Sequence, residues 1–191
     1  MALRQKLLAV LALLLAAACA TGTDPVADTD QMAPITFTVD DYRLGAGDKV
    51  KVTVFGEPDL SGEFAVDGTG YVSLPLVGEI KASALTVREF QGAVDTAFRD
   101  GYLKDPRISA EVTTYRPYFI LGEVKQPGTY AYQNGLTVLN AVATAQGFTY
   151  RANERFVFIR RDGAEKETKV PLTSTTPVQP GDTIRISERF F

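Results

Sequence analysis

The sequence predicts an α+β protein built from two small domains, and three observations lead to this fold class. Several short segments alternate polar and apolar residues, the period of a strand with one buried face. Two other segments carry apolar residues at helical spacing behind a threonine that can cap a helix. Clusters of Gly, Pro and Asp separate these elements. Strand pairs and one helix occur both before and after residues 114–117, so we place the domain boundary there.

The strands of the first unit are indicated by alternation and by turn residues. Residues 49–54 read Lys-Val-Lys-Val-Thr-Val behind a Gly-Ala-Gly-Asp turn, which is typical of a half-buried strand. Residues 63–66 and 71–76 flank Asp-Gly-Thr-Gly, and this pattern predicts a hairpin. Apolar residues alternate again in residues 108–112, after an Asp-Pro pair, and predict the next strand.

The strands of the second unit are predicted from the same patterns of alternation and turn residues. Residues 118–124 and 128–132 flank Lys-Gln-Pro and predict strand, turn and strand. The strongest strand is predicted over residues 156–160, and an Asp-Gly turn directs the chain back along residues 167–172. Gln-Pro-Gly then leads into a final predicted strand, residues 183–186.

One capped helix is predicted in each unit. Thr86 and Glu89 have the spacing of a capping box, and Gly101 can close the helix that they begin. Thr137 is expected to cap a shorter helix that ends at Gly147. The apolar positions of the first helix are Val87, Phe90, Val94, Ala97 and Phe98, and those of the second are Val138, Leu139, Val142 and Ala143.

The composition excludes several classes of chemistry. The 191 residues include no His and one Cys, so a Ser-His triad, a His-ligated metal and an intramolecular disulfide are all excluded. The formal net charge of −3, without a basic run, argues against nucleic acid as a partner. We therefore expect no catalysis, no cofactor and no metal site.

The N-terminus predicts export and a lipid anchor. An unbroken run of 12 apolar residues, 7–18, follows two basic residues and is too short to span a membrane, so residues 1–18 are interpreted as a signal peptide. Small residues before Cys19 resemble a bacterial lipobox, which implies diacylation of that thiol and acylation of the new N-terminus. The alternative is an ordinary signal peptide with an incidental cysteine. Ala20 favours the outer membrane, and the polar segment from there to residue 35 is expected to be a flexible tether.

The motifs of both units resemble those of a known family. Tyr-Arg-Leu-Gly-Ala-Gly-Asp at 42–48, with Pro-Asp-Leu-Ser-Gly at 58–62, resembles the opening of a bacterial polysaccharide export domain. Gly-Glu-Val at 122–124 and Pro-Gly-Thr-Tyr at 127–130 resemble an SLBB domain, a β-grasp-like module, and Pro-Gly-Asp at 180–182 resembles the family's closing signature. The motif positions, expected to be structural, are Gly45, Gly47, Asp48, Pro58, Leu60, Gly62, Asp67, Gly68, Pro75, Gly78, Pro106, Gly122, Pro127, Gly128, Gly181 and Asp182.

Taken together, residues 40–191 are similar to the Wza-like outer-membrane polysaccharide export lipoproteins. The resemblance implies a lipidated N-terminus and tether at 19–35, a polysaccharide export domain at 36–114 and an SLBB domain at 115–191. It also implies a periplasmic, lipid-anchored subunit of a ring-shaped homo-oligomer through which capsular or exopolysaccharide passes. An inner-membrane co-polymerase of the chain-length or tyrosine-kinase type is the implied partner.

The sequence departs from the family pattern in three places, and only the third bears on this expectation. In the family turn Leu-Gly-Pro-Gly-Asp, Ala46 replaces the proline. The end of the second helix, usually Ala-Gly-Gly, is Ala-Gln-Gly at 145–147. The family's C-terminal amphipathic helix has no counterpart in this sequence, and about 20 residues are needed to span a bilayer. We therefore expect a separate outer-membrane partner, for example a β-barrel.

Two functions other than export are compatible with parts of the sequence. A non-channel periplasmic lipoprotein that binds a soluble ligand or cell-wall glycan through its β-grasp domain is the main alternative. A glycosidase would need two carboxylates at a fixed separation across a sugar. The candidates Asp48 and Asp67 lie in Gly-rich turns, where aspartate is favoured because it bonds to backbone amides.

Two sets of side chains could contact a sugar polymer, and in both cases we favour a structural role. Strand aromatics can stack on sugar rings, but they more often pack in a core. The tyrosines concerned are Tyr115, Tyr118, Tyr130 and Tyr132. Three arginines surround the strand at 156–160, where we expect an ordinary solvated face. These arginines are Arg155, Arg160 and Arg161.

Overall fold

The computed structural model describes residues 42–189, in which ten strands and two α-helices follow one another. The strands are β1 (Lys49–Val54), β2 (Gly62–Ala65), β3 (Tyr71–Leu74), β4 (Gly78–Lys81), β5 (Ile108–Thr114), β6 (Tyr118–Gly122), β7 (Gly128–Tyr130), β8 (Phe156–Arg160), β9 (Thr168–Pro171) and β10 (Thr183–Ile186). The helices are α1 (Val87–Arg99) and α2 (Val138–Thr144), and Pro58–Leu60 form a single 3-10 turn. This content confirms the predicted α+β class.

The N-terminal half, residues 42–114, is organised around strand β1. This strand lies between β2 and β5, and it is antiparallel to both. Its alternate valines, including Val50 and Val52, are fully buried, as the alternation predicted. Helix α1 buries Phe90, Val94 and Phe98 in the same cluster. Each such side chain removed from water contributes about 1.5 to 3 kcal/mol, so the packing of α1 on this sheet is a main source of stability.

The predicted hairpin between residues 63–66 and 71–76 is wrong. Strand β2 pairs with β1, whereas β3 pairs with β4 in a separate two-stranded sheet. The turn between them does form, because the Asp67 carboxylate accepts hydrogen bonds from the backbone N–H groups of Thr69 and Tyr71. Gly70 follows with a φ of +87°, and its carbonyl accepts from the N–H of Ala82. The turn therefore redirects the chain to a new partner instead of folding it back on β2.

The C-terminal half, residues 118–189, contains a five-stranded sheet in the order β7-β6-β10-β8-β9. Strands β6 and β10 are parallel, and the remaining pairs are antiparallel. Ile120, Ile159 and Ile184 come from three neighbouring strands and are buried in one cluster with residues of helix α2. A helix over a mixed sheet with two antiparallel hairpins is the arrangement expected of a β-grasp-like module. The two halves thus have separate hydrophobic clusters, one on each side of residues 115–117.

Both helix caps form as predicted. The Thr86 hydroxyl accepts from the Glu89 N–H at 3.2 Å, and the Glu89 carboxylate accepts from the Thr86 N–H at 2.8 Å, which completes a capping box. The Thr137 hydroxyl accepts from the N–H of Asn140 at the start of α2. The predicted face of α2 is partly wrong, since Leu139 and Ala143 are exposed and Ala141 is buried. The actual face follows the 3.6-residue period from the buried Val138.

Several expectations concern residues outside the described range. The signal peptide, Cys19 and the tether all precede residue 42. The domain bounds 36–114 and 115–191 accordingly stay predictions. Within residues 42–189, no helix has the length and apolar character that crossing a membrane requires.

Gly122 closes strand β6 at a point where no other residue fits. Its φ is +85°, and a Cβ added there would overlap the carbonyl oxygen of Ile186 on strand β10. That same oxygen accepts a hydrogen bond from the Glu123 N–H at 3.0 Å. The close approach of the two strands therefore requires glycine for space as well as for backbone conformation.

A matched pair of substitutions separates these two requirements. Gly147 has a similar φ of +90°, and nothing lies within 4 Å of the position that a Cβ would take there. We expect Gly147→Ala to lower the free energy of unfolding by about 1 to 2 kcal/mol, the cost of a left-handed conformation. Gly122→Ala should cost about 2 kcal/mol more, because the methyl group also overlaps β10. Urea denaturation followed by circular dichroism measures both, and equal losses would contradict the close approach.

Candidate functional site at the junction of the two halves

Two aspartates of the family motifs lie in equivalent turns, one before β1 and one before β10. The Asp48 N–H donates to the Gly45 carbonyl at 3.1 Å, and the Asp48 carboxylate accepts from the Gly45 N–H at 2.8 Å. The Asp182 N–H donates to the Gln179 carbonyl at 3.1 Å, and its carboxylate accepts from the Gln179 N–H at 2.6 Å. The turn interpretation of Asp48 is therefore confirmed, and the same turn recurs in the C-terminal half.

Both carboxylates are completely buried, and each contacts an arginine. Asp48 and Asp182 are 0% exposed. Asp48 pairs with Arg116 at 2.9 Å, and Asp182 pairs with Arg161. An ionised carboxylate is stable inside a protein only when such partners replace water. The prediction that Arg161 lies on a solvated face is wrong, because this buried carboxylate draws its guanidinium inward; Arg155 and Arg160 are exposed as expected.

Arg116 joins the two halves directly. It lies in the segment between β5 and β6, and its side chain is only 14% exposed. Its backbone N–H donates to Asp48 Oδ1 at 2.8 Å, and its Nη1 donates to Asp48 Oδ2 and to the Tyr42 hydroxyl, both at 2.9 Å. On the other side, its Nε lies 3.0 Å from Asp162 Oδ2 of the C-terminal half, an ionic contact without hydrogen-bond alignment.

The glycines of the two turns make room for this guanidinium. A Cβ on Gly45 would lie 2.6 Å from Arg116 Nη1, and a Cβ on Gly181 would lie 2.8 Å from Arg116 Nε. Gly181 also has a φ of +82°. The Gly-x-Gly-Asp and Pro-Gly-Asp motifs therefore meet on opposite sides of one arginine. The sequence motifs alone do not identify Arg116 as the residue that lies between them.

A row of tyrosines runs beside the arginine. The rings of Tyr42 and Tyr115 meet edge to face with centroids 5.0 Å apart, and Tyr115 meets Tyr132 in the same way at 5.4 Å. Burial and the adjacent Asp48 carboxylate, to which Tyr42 donates a hydrogen bond, raise the pKa of Tyr42 far above its usual value. Tyr132 also has a raised pKa, chiefly because of burial. Both phenols are therefore neutral at physiological pH.

The other two tyrosines have the packing role that was predicted. Tyr118 is 1% exposed, and its ring stacks on that of Tyr130 with centroids 5.8 Å apart. The Tyr130 hydroxyl donates to the Gln126 carbonyl at 2.7 Å. These contacts stabilise the β6–β7 hairpin.

Two cavities flank the contact between Tyr42 and Tyr115. The larger, about 610 Å³, extends over the start of α1 and is lined by charged residues that include Arg88 and Glu89. The smaller, about 340 Å³, opens toward Tyr132 and the C-terminal half. Both volumes fall within the range of small-ligand sites.

The remaining motif positions lie in turns and strand ends away from Arg116. They are Pro58, Leu60, Gly62, Asp67, Gly68, Pro75, Gly78, Pro106, Gly122, Pro127 and Gly128. The Asp67 carboxylate bonds within its own turn, and these bonds lower its pKa. At the end of α2, Gln146 adopts a φ of +64° where the family usually has glycine. Among residues 42–189, no group of three His, Cys, Asp or Glu side chains could hold a metal ion.

The Asp48–Arg116 pair should dominate the stability of the junction. Arg116→Met leaves the Asp48 carboxylate buried without its partner, so we expect the free energy of unfolding to fall by about 3 to 5 kcal/mol. Arg43→Met breaks the exposed pair with Glu89 and should cost about 1 kcal/mol or less. In the double variant Asp48→Asn/Arg116→Met, the loss should be smaller than the sum of the single losses. Additive losses in urea denaturation would argue against a direct pair.

Asp182 should make stability depend on pH near neutrality. Burial raises the pKa of this carboxyl to about 6, and the opposing attraction of Arg161 does not restore the usual value. Asp182 Oδ1 also lacks a hydrogen-bond partner within the described residues. The folded state binds the proton on the Asp182 carboxyl more tightly than the unfolded state does. Its contribution to the free energy of unfolding is therefore lost as pH rises through about 6.

We expect the free energy of unfolding to fall by roughly 1 kcal/mol between pH 5 and 7 on account of this group. Asp182→Asn should remove that slope. Glu167→Gln is the control, because the Arg185 guanidinium lowers the pKa of Glu167 and moves its titration below this window. Urea denaturation at several pH values measures the slopes, and an unchanged slope in Asp182→Asn would refute the assignment.

Two family models match the chain, one on each side of this junction. Residues 38–113 match the family model described as polysaccharide biosynthesis/export protein, and residues 117–172 match that of the SLBB domain. Arg116 thus lies between the two matched segments, directly before the second.

Three curated relatives have related names. The exopolysaccharide production protein ExoF of Rhizobium meliloti is 36% identical over 130 residues, covering 61% of this chain and 31% of its own length. The polysialic acid transport protein KpsD of Escherichia coli is 27% identical over 109 residues, with coverage of 56% and 20%. The EPS I polysaccharide export outer membrane protein EpsA of Ralstonia nicotianae is 23% identical over 193 aligned residues, with coverage of 83% and 50%.

The chain matches half or less of the length of each of these relatives. Its two matched segments nevertheless follow one another over most of the described residues. The relatives agree with the motifs that suggested the family. This chain, with an export domain followed by an SLBB domain, belongs to the Wza-like family of polysaccharide export proteins.

Proposed function

We propose that this protein is a periplasmic, lipid-anchored subunit of an oligomeric channel that exports capsular or exopolysaccharide across the outer membrane. The observation that carries the proposal is the succession of an export domain and an SLBB domain. The names of the three relatives, which refer to exopolysaccharide production, polysialic acid transport and polysaccharide export, support it. The subunit itself catalyses no reaction, and its role is to form part of a conduit.

The junction suits a subunit that must close a ring. In a head-to-tail ring, each copy repeats the same rotation, and small errors in subunit shape accumulate around the circle. A flexible linker would allow such errors, whereas a short segment held by a buried ion pair does not. Here Arg116 contacts Asp48 on one side and Asp162 on the other. This contact fixes the angle between the halves within one subunit and so supports a regular assembly.

The remaining parts of the proposal concern the surroundings of the ring. Cys19 carries the lipid that holds each copy on the membrane, with the folded part in the periplasm. The polysaccharide passes through the lumen, and an inner-membrane co-polymerase of the chain-length or tyrosine-kinase type docks on the periplasmic base. These expectations follow from membership of the family.

The mass of the assembly tests the proposal. We expect the detergent-extracted, lipidated protein to form a closed homo-oligomer by multi-angle light scattering, with rings in negative-stain images of the same sample. Cys19→Ser should remove the lipid, so that the protein is no longer recovered from the membrane fraction. The variant purified from the periplasm should still form rings. Arg116→Met should give irregular or open assemblies under conditions where it is folded, while Arg43→Met should still give rings.

A monomer, both alone and after addition of an outer-membrane extract, would contradict the channel. That outcome would favour the alternative, a periplasmic lipoprotein that binds a soluble ligand. The specific observation in favour of the alternative is the uncharged cavity of about 340 Å³ beside Tyr132.

A further inference from the structure

The smaller cavity, beside the tyrosines of the junction, has the features of a binding site. We call it the tyrosine pocket and define it by Tyr42, Tyr115, Tyr132, Asn134, Ser174 and Thr175. Its volume of about 340 Å³ lies near the lower end of the range for small-ligand sites. The site can therefore accept a short segment of a chain and not a large folded partner.

The chemistry of the wall is aromatic and uncharged. Three tyrosines contribute ring surface, and amide and hydroxyl side chains lie at the rim. Leu136, Pro177 and Val178 add apolar surface. Among the described residues that line it, none carries a charge, in contrast to the neighbouring cavity with Arg88 and Glu89. A ligand with apolar ring faces and many neutral hydroxyl groups matches this wall, whereas an anionic ligand gains no ion pair there.

The pocket is already formed in the free protein. Its two loops are tied together by backbone hydrogen bonds, from the Val138 N–H to the Thr176 carbonyl at 2.9 Å and from the Val178 N–H to the Leu136 carbonyl at 3.0 Å. The Thr176 hydroxyl fixes the second loop by donating to the Pro171 carbonyl at 2.6 Å. A ligand therefore loses less of its binding free energy to ordering the protein.

The rim is open to solvent. Asn134, Ser174 and Thr175 are exposed at the mouth of the pocket, where the Thr175 hydroxyl shares a hydrogen bond with that of Thr173 at 3.2 Å. The rings of Tyr115 and Tyr132 meet at 70°, and both residues line the pocket. Packing in the core thus describes only part of the role of these two tyrosines.

We propose that the tyrosine pocket binds a short, uncharged saccharide segment by ring stacking on the tyrosines and by hydrogen bonds at the rim. The inference rests on the proposed export function, which supplies a polysaccharide to the junction. Binding is weak and rapidly reversible, because a polymer that moves through a conduit must leave each site that it visits. The pocket then acts as one of a series of identical contacts around the ring.

Saturation-transfer-difference NMR on the full-length protein tests the pocket. The probes are the neutral trisaccharides cellotriose, maltotriose and mannotriose, with trigalacturonate as the anionic comparison. We expect saturable transfer to at least one neutral probe and little to trigalacturonate. Ser174→Leu narrows the mouth at an exposed position and should weaken that binding by about tenfold, equivalent to about 1.4 kcal/mol.

Ser73→Leu is the matched control, because Ser73 is also exposed but lies on strand β3 of the other half. It should leave binding unchanged, and both variants should have the circular dichroism spectrum of the original protein. Absence of transfer to every neutral probe would overturn the proposal. Equal binding by Ser174→Leu and Ser73→Leu would also overturn it, as would tighter binding of trigalacturonate than of all neutral probes.

The same samples separate this inference from the proposed function. Light scattering shows whether rings are present at the protein concentration used for NMR. Rings without sugar binding would refute saccharide binding by the tyrosine pocket and leave the proposed channel function unaffected. Sugar binding by a protein that forms no ring would refute the channel and support the pocket as the site of a ligand-binding lipoprotein.

Discussion

The burial of the Asp48 carboxylate is the constraint on which the arrangement of the two halves depends. An ionised group without contact to water needs a positive partner and hydrogen-bond donors in its place. Arg116 and the turn amide of Gly45 supply them. Because Arg116 lies in the segment that joins the halves, satisfying Asp48 also determines the path of the chain into β6. The contact with Asp162 then ties the C-terminal half to the same guanidinium.

The recurrence of one turn in both halves gives the junction its geometry. Each turn places a glycine beside Arg116 and directs an aspartate into the interior just before a strand. These glycines are needed for the space that a side chain would fill, and Gly181 is needed for its backbone conformation as well. Any side chain at Gly45 or Gly181 would displace the guanidinium from the position at which it reaches its carboxylates. The glycines of these two motifs are thus explained by packing around one side chain.

Features that depend on interactions between neighbouring residues could be predicted from the sequence. The alternation in β1, the capping box at Thr86 and the motif order each depend on neighbours in the chain. The pairing of β2 was mistaken because the turn at Asp67 looks the same whether or not its flanking strands pair. Arg116 was missed because its partner Asp48 is 68 residues away and nothing in the surrounding composition distinguishes a buried arginine from an exposed one.

The position of β10 in its sheet has a consequence for how the protein is made. This last described strand is the central member of the five, and it pairs with β6 and β8 on its two sides. The C-terminal half cannot complete its core until residues 183–186 are available, because β10 separates the β6–β7 pair from the β8–β9 pair. The edges of β6 and β8 that face β10 therefore stay unpaired until that strand arrives, and unpaired edges of this kind are open to pairing with other chains.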